Sequence, residues 1–275
     1  MPHIGIQGVV HYYEQAGEGL PLMLIHGAFA DAHIWEPQWQ YFSARYRVMR
    51  YDLRSSGRTG PSSLPHYTMA TFADDLAALL DALAVESPIL CGLSMGGAIA
   101  QAFAVRYPAR PKALILASAS VSASLTLNEK LLRYVLMPGW IALPAIRKVG
   151  VKRFTRFALW LARRLWGRQW LGEHKDIQQY VEQCMLQMEG NEFLKLWEAI
   201  YNFDLLPLEQ ITCPTLVLNG EHESKGALRH TAEILRRVPQ ASAEVVPGGS
   251  HAMNLENPEG FNRLAEEYLR SFCFC

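Results

Sequence analysis

The chain has 275 residues, half of them apolar, and its 26 Lys and Arg are balanced by 26 Asp and Glu. This suits one domain plus an insertion around a sizeable core, and zero formal charge argues against a nucleic-acid binder, whose affinity rests on neutralising phosphates. No apolar run reaches the ~18 residues of a membrane span, and residues 1–8 lack the basic and apolar regions of a secretory signal.

In chain order, Val9 to Glu14 alternates and reads as an early strand. Leu22 to Ile25 is a short, wholly apolar strand of the kind buried on both faces. It ends in the loop His26-Gly27-Ala28-Phe29, and Trp35 to Tyr46 then reads as a helix. Arg47 to Tyr51 is the next strand, followed by the loop from Asp52 to Arg58. Thr68 to Leu83 has helical spacing, with Asp74, Asp75 and Asp81 on its polar side. A strand at Pro88 to Cys91 leads into a helix that runs to Tyr107 and stops at Pro108, and Lys112 to Ala117 is a further strand. Strand signal is then absent from Val121 to about Asp204. It returns at Pro214 to Asn219, before a helix from Ala227 to Val238, a strand from Ala243 to Val246 and a last helix from Pro258 to Phe272. Strands alternating with helices predict a mostly parallel, doubly wound sheet, with reactive groups on loops at the strand C-termini.

The most informative stretch is Gly92-Leu93-Ser94-Met95-Gly96, between the Pro88 strand and the helix that follows. A serine in such a strand-to-helix turn is held in a strained conformation that lifts its hydroxyl off the sheet. Glycines flank it because side chains there would collide across the turn. The amide of Met95, at the start of a helix, is left free to face a developing oxyanion.

Taken together, His26-Gly27, Asp52-x-Arg54, Gly92-Leu93-Ser94-Met95-Gly96-Gly97, Pro214 to Gly220, and Gly249-Ser250-His251 with Glu256-Asn257-Pro258-Glu259 resemble the α/β-hydrolase superfamily. The wording is similar to that of its esterase, enol-lactonase and cofactor-free haloperoxidase group. The resemblance runs over roughly Leu22 to Ser120 and Pro214 to Phe272. It implies an α/β fold with a core at 1–120 and 206–275 and a helical cap at 121–205, inserted before the last two strands.

The resemblance also implies site residues. Ser94 is the expected nucleophile. His251, after the last strand, is the expected general base that a serine alcohol requires. His26 is a rival, but its place matches a histidine that orients backbone; His3, His11, His33, His66, His174 and His230 read as surface or packing residues. The acid belongs in the loop after the Pro214 strand, where the family pattern is Gly-x-x-Asp and this chain reads Gly220-Glu221-His222-Glu223. Glu223 holds the motif position, a departure from Asp, and Glu221 is the alternative. The amides of Met95 and Ala28 are the expected oxyanion hole. Asp52 and Arg54 match a structural loop, with Ser55 where glycine is commoner.

The implied activity is serine hydrolysis of a carboxylic ester or lactone with an apolar part, with no metal or organic cofactor. The same constellation also serves C–C bond hydrolases, perhydrolases and thioesterases, and some members of the fold are weakly catalytic ligand receptors. The odd, irregularly spaced cysteines, Cys91, Cys184, Cys213, Cys273 and Cys275, read as reduced thiols of a cytoplasmic protein.

The insertion separates its charges. Residues 121–170 carry ten Lys and Arg against Glu129 alone, and acidic residues predominate from Leu171 to Leu205. A helix over Val151 to Trp166 puts Val151, Phe154, Phe157, Ala158, Leu161 and Leu165 on one face. Lys152, Arg153, Arg156, Arg163 and Arg164 fall opposite, with Trp160 among them. Three roles fit: packing on the core beneath a solvated basic face, burial of Trp160 against Glu189, Glu192 and Glu198, or weak contact with an anionic membrane surface.

Overall fold

The computed structural model describes residues 2–131, 144, 146–165 and 174–273. The readings that rest on Trp166 and Cys275, and on the side chains of Ala158, Leu161, Arg163, Leu165 and Cys273, lie outside what it describes.

Among them, eight strands form one sheet: β1 (His3–Ile6), β2 (Val9–Ala16), β3 (Pro21–Ile25), β4 (Arg47–Tyr51), β5 (Ile89–Leu93), β6 (Ala113–Ala117), β7 (Thr215–Gly220) and β8 (Ala241–Val246). Their spatial order is β1-β2-β4-β3-β5-β6-β7-β8. The pairings β1–β2 and β2–β4 are antiparallel, and all others are parallel. The wholly apolar runs of β3, β5 and β6 are buried on both faces, as parallel strands under helices must be. The sequence reading missed β1. It is an edge strand with alternate residues exposed and a glycine within it, so it offers no apolar run, and it joins β2 through Gln7 and Gly8 at φ 48° and 73°.

The helices of the core are α1 (Glu36–Phe42), α2 (Met69–Ala82) and α3 (Met95–Arg106). The helix expected over Trp35 to Tyr46 is divided: a 3-10 turn spans Ala32–Trp35, and α1 runs from Glu36, beside Pro37, to Phe42, with Ser43 as its cap. On α2, Thr68 and Thr71 form a reciprocal capping box. Its polar side is narrower than the spacing predicts. Asp74 pairs with Arg106 and Asp81 with Arg110 at the surface, but Asp75 is 2% exposed. Asp75 turns inward because Arg54, also buried, grips it with Nε and Nη2 at 2.9 and 2.5 Å. A buried carboxylate is tolerable only with such a partner.

Between β6 and β7 the described helices are α4 (Leu127–Leu131), α5 (Val151–Leu165), α6 (Lys175–Gln187) and α7 (Gly190–Tyr201). After β7 come α8 (Lys225–Arg237), α9 (Met253–Glu256) and α10 (Pro258–Cys273). The helical segment has its own small core of Ile146, Met185, Phe193 and Leu194. Several contacts among the described residues fasten it to the core. Phe29, after β3, stacks on Phe193 at 5.0 Å between ring centroids. The Tyr180 hydroxyl donates to Asp31 Oδ1 at 2.7 Å. Buried Glu192 accepts from the hydroxyls of Ser55 and Tyr67 and pairs with Lys195 Nζ at 2.7 Å. Ser55 sits at φ 67°, which explains why glycine is commoner there, and its hydroxyl is what reaches Glu192.

On α5 the described part of the face expected to point inward is only partly buried. Thr155 is buried and Phe154 packs edge-on against Trp197 at 5.3 Å. Phe157 is 55% exposed and stacks with Trp160, itself 56% exposed, at 5.9 Å. Trp160 is therefore not buried against the acidic half of the insertion. Glu192 is engaged with Ser55 and Tyr67, and Glu198 with His66 at 2.8 Å.

Candidate active site

The connection from β3 to β4 runs one way along the sheet, and that from β4 to β5 crosses back. The order reverses between β3 and β5, so a crevice opens at their C-terminal ends. His26 to Phe29 leave β3 there and Ser94 leaves β5.

Ser94 has φ 54° and ψ −115° and immediately precedes α3. Its amide donates to Ala117 O on β6 at 2.8 Å, and its carbonyl accepts from Gly97 and Ala98. The bonds on both sides over-determine a conformation that a non-glycine residue otherwise avoids. A side chain at Gly92 would meet the backbone of Gly96 across the turn, as the motif requires. One at Gly96 would instead strike the carbonyls of Ile25 and His26, so the second glycine lets the turn press onto the end of β3.

Ser94, Met95 and Ala28 line a common cavity of about 510 Å³. Met95 is the first residue of α3, and the first amides of a helix have no partner within it. Phe29, Met69, Trp197 and Phe203 contribute apolar surface to the cavity.

The loops after β7 and β8 bring Glu223 and His251 together. Glu223 Oε2 lies 3.4 Å from His251 Nδ1, and the glutamate side chain is 2% exposed. The Ser118 hydroxyl, at the end of β6, also donates to Oε2, and the Ser224 amide donates to Oε1 at 2.9 Å. Burial pushes the Glu223 carboxyl up, but the hydrogen bond and charge of His251, with the bonds from Ser118 and Ser224, outweigh it and hold the carboxyl below its ordinary value. Glu221 takes a different path: its Oε2 accepts from the Gly248 amide at 2.8 Å on the exposed side of the loop. Gly220 leaves no room for a side chain against Gly249 and Ser250, so the two loops sit backbone to backbone.

His26 is fully buried. Its Nε2 accepts from the Leu53 amide at 2.9 Å, which leaves Nδ1 to donate to Gly27 O at 2.7 Å. Burial lowers its pKa despite Asp52 nearby, so it stays neutral and ties two loops together. Asp52 is likewise structural, accepting from the amides of Ala32 and Arg58 at 2.8 and 2.7 Å.

Two residues escaped the sequence reading. Ser118 stands in Ser118-Ala119-Ser120, a segment that offers no acid, and only the adjacency of β6 and β7 shows that it supports one. His230, read as a surface or packing residue, lines the Ser94 cavity. Glu129 lines it too; it accepts from the Leu125 and Thr126 amides at 2.8 and 3.1 Å and pairs with Arg229. Burial opposes ionisation, but those three partners together hold the Glu129 carboxyl down at about 2. A carboxyl lowered on folding adds stability that is full above its unfolded value, near 4.5, and is lost as pH falls through about 2. Partial exposure screens the pair, leaving a contribution on the order of 1–2 kcal/mol. Glu129→Gln is therefore expected to lower the melting temperature at neutral pH, with the gap closing towards pH 2; a gap that does not depend on pH would show that the charge adds nothing.

The alpha/beta hydrolase family matches residues 22–264. The chain belongs to this family. Among its relatives, 3-oxoadipate enol-lactonase 2 of Acinetobacter baylyi is 26% identical over 241 residues, 87% of this chain and 84% of that one. Among solved structures, a thermophilic esterase from Thermogutta terrifontis is 25% identical with a TM-score of 0.79, covering 98% of this chain and 97% of the other. The enol-lactonase from Burkholderia xenovorans LB400, at 24% identity, shares the fold with a TM-score of 0.79 over 98% of this chain and 100% of the other. This hydrolase thus has relatives named for esterase and lactonase activity, and its helical segment falls within the matched length.

Proposed function

We propose that this hydrolase cleaves carboxylic esters or lactones through an acyl-enzyme formed on Ser94. The observation that carries the reading is Ser94 on its strained turn, opening into the cavity that Ala28 and Met95 also line. His251, when neutral, takes the proton from Ser94 Oγ as that oxygen bonds to the substrate carbonyl carbon. Glu223 accepts the hydrogen on His251 Nδ1, fixing the tautomer and stabilising the imidazolium; the 3.4 Å separation supports this role. The amides of Ala28 and Met95 stabilise the oxyanion. The carbon–oxygen bond then breaks, His251 returns the proton to the leaving alcohol, and a water activated by the same imidazole releases the acid. Relatives named as an esterase and an enol-lactonase support the substrate class. Residues 121–205 act as a cap over the cavity, to which Trp197 and Phe203 contribute.

Parallel screens of p-nitrophenyl esters and of lactones test the reading. Turnover of either set, lost in Ser94→Ala, is the expected result; turnover of neither removes the proposed activity.

A cytoplasmic setting fits the free thiols of Cys91, Cys184 and Cys213. Among the described residues no helix is long and apolar enough to cross a membrane. The exposed Phe157–Trp160 pair lies on a helix whose Lys152, Arg153, Arg156 and Arg164 are also exposed, which supports weak contact with an anionic surface. Co-sedimentation with anionic vesicles at low salt, reduced at high salt and in Trp160→Ser, is the expected outcome. Equal absence from anionic and neutral pellets would leave the pair without a membrane role.

A further inference from the structure

The loop after β3 runs directly beside the nucleophile: a side chain at Gly27 would come within 3.4 Å of Ser94 Cβ and 3.2 Å of Leu93 O. Its start is held from the core, because His26 bonds both the Leu53 amide and the Gly27 carbonyl. Ala28 and Phe29 then make a turn in which Phe29 sits at φ 58°, a left-handed conformation that a bulky side chain rarely adopts. Such strain persists only where the surroundings over-determine it.

Two grips on this part of the loop come from the helical insertion. Phe29 stacks on Phe193 of α7 at 5.0 Å between centroids and 29° between planes. Phe193 stacks in turn on Trp197 at 6.3 Å and 18°, and Phe154 of α5 meets Trp197 edge-on. Phe29 also packs on the core beneath the sheet's helices, so its ring bridges core and insertion. Two residues on, Asp31 Oδ1 accepts from the Tyr180 hydroxyl of α6 at 2.7 Å, and the Asp31 amide lies 3.3 Å from the same oxygen. Both grips fall just after Ala28, whose amide is an oxyanion donor in the reading above. Neither Phe193, which is fully buried, nor Tyr180 is among the residues lining the Ser94 cavity.

We propose that Phe193 and Tyr180 are positioning residues: from the cap, they hold the Phe29 turn and through it aim the Ala28 amide at the oxyanion. The cap then acts on the chemical step itself, even for a substrate too small to reach it. The proposal rests on the reading of Ser94 as nucleophile and of Ala28 as an oxyanion donor.

The test follows kcat and KM for p-nitrophenyl acetate, an ester with a short acyl group. Acylation and deacylation both pass through an oxyanion, so kcat reports its stabilisation in either step. Phe193→Ala is expected to lower kcat about 10–100-fold, less than the loss of a whole donor, with KM within about twofold. Phe193→Leu, which keeps more of the packing volume, is made alongside in case the alanine variant does not fold. Tyr180→Phe removes one hydroxyl and is expected to lower kcat several-fold. A trifluoromethyl ketone gives a readout that a merely structural role leaves alone. Ser94 Oγ adds to its carbonyl carbon, the Oγ proton passes to His251, and the carbonyl oxygen becomes the oxyanion. Its affinity should fall by the same factor as kcat, while affinity for the matching secondary alcohol, which forms no oxyanion, stays the same. A kcat within about twofold of the parent in the folded Phe193 variants overturns the proposal, and so does a loss of kcat that the ketone's affinity does not follow. Ser94→Ala separates the two readings. Turnover that persists there sinks the nucleophile, whereas turnover lost there but untouched in the Phe193 and Tyr180 variants sinks the cap's role alone.

Discussion

Ser94→Ala is expected to abolish ester or lactone turnover while leaving the fold and its melting temperature nearly unchanged. Removing the nucleophile of a serine protease triad costs on the order of 10⁶ in kcat, and a loss of similar scale is expected here. The bonds that shape the turn are backbone ones, from the Ser94 amide to Ala117 O and from Gly97 and Ala98 to the Ser94 carbonyl, so they survive the change. Alanine meets the same backbone strain at φ 54° that serine does. The assay is single-turnover release of p-nitrophenol, with circular dichroism to confirm the fold. Activity within tenfold of the parent in a clean preparation would remove Ser94 from the chemistry.

The second large effect separates the two carboxylates of one loop. Glu223→Ala should lower kcat by about 10³–10⁴, the scale seen when the acid of a serine triad is disabled, with KM little changed. Glu221→Ala should stay within a few-fold of the parent. The reason is where each carboxylate ends: Glu223 is buried against His251, Ser118 and Ser224, and Glu221 holds the Gly248 amide at the surface. Ser118→Ala should fall between the two, because it removes one of the groups that aim Oε2. A crippled Glu221→Ala beside an active Glu223→Ala would reverse the assignment.

Both predictions rest on residues that could be named from the chain alone, but not on equal grounds. Ser94 is legible because the elbow is local: strand, glycine, serine and helix lie within a dozen residues, and their steric demand is a property of adjacent backbone. Glu223 is legible only as a loop position. That it, not Glu221, meets His251 depends on how the loops after β7 and β8 pack, and Gly220 permits that packing by lacking a side chain. His230 and Ser118 carried no signal, because each acts through a neighbour about a hundred residues away.

The alternation of apolar strands and helices determined the doubly wound sheet and put the reactive loops at its C-terminal edge, because periodicity and burial are local demands that the fold has to satisfy together. Tertiary structure alone decided the inward turn of Asp75, the exposure of Phe157 and Trp160, and which residues line the Ser94 cavity. Each depends on partners distant in the chain. A helical pattern ranks residues by polarity, but what a side chain faces is set by which element packs on it. Arg54 reaches α2 from the loop after β4, and the wall of the Ser94 cavity draws on loops, α4 and α8 that come together only when the sheet is complete.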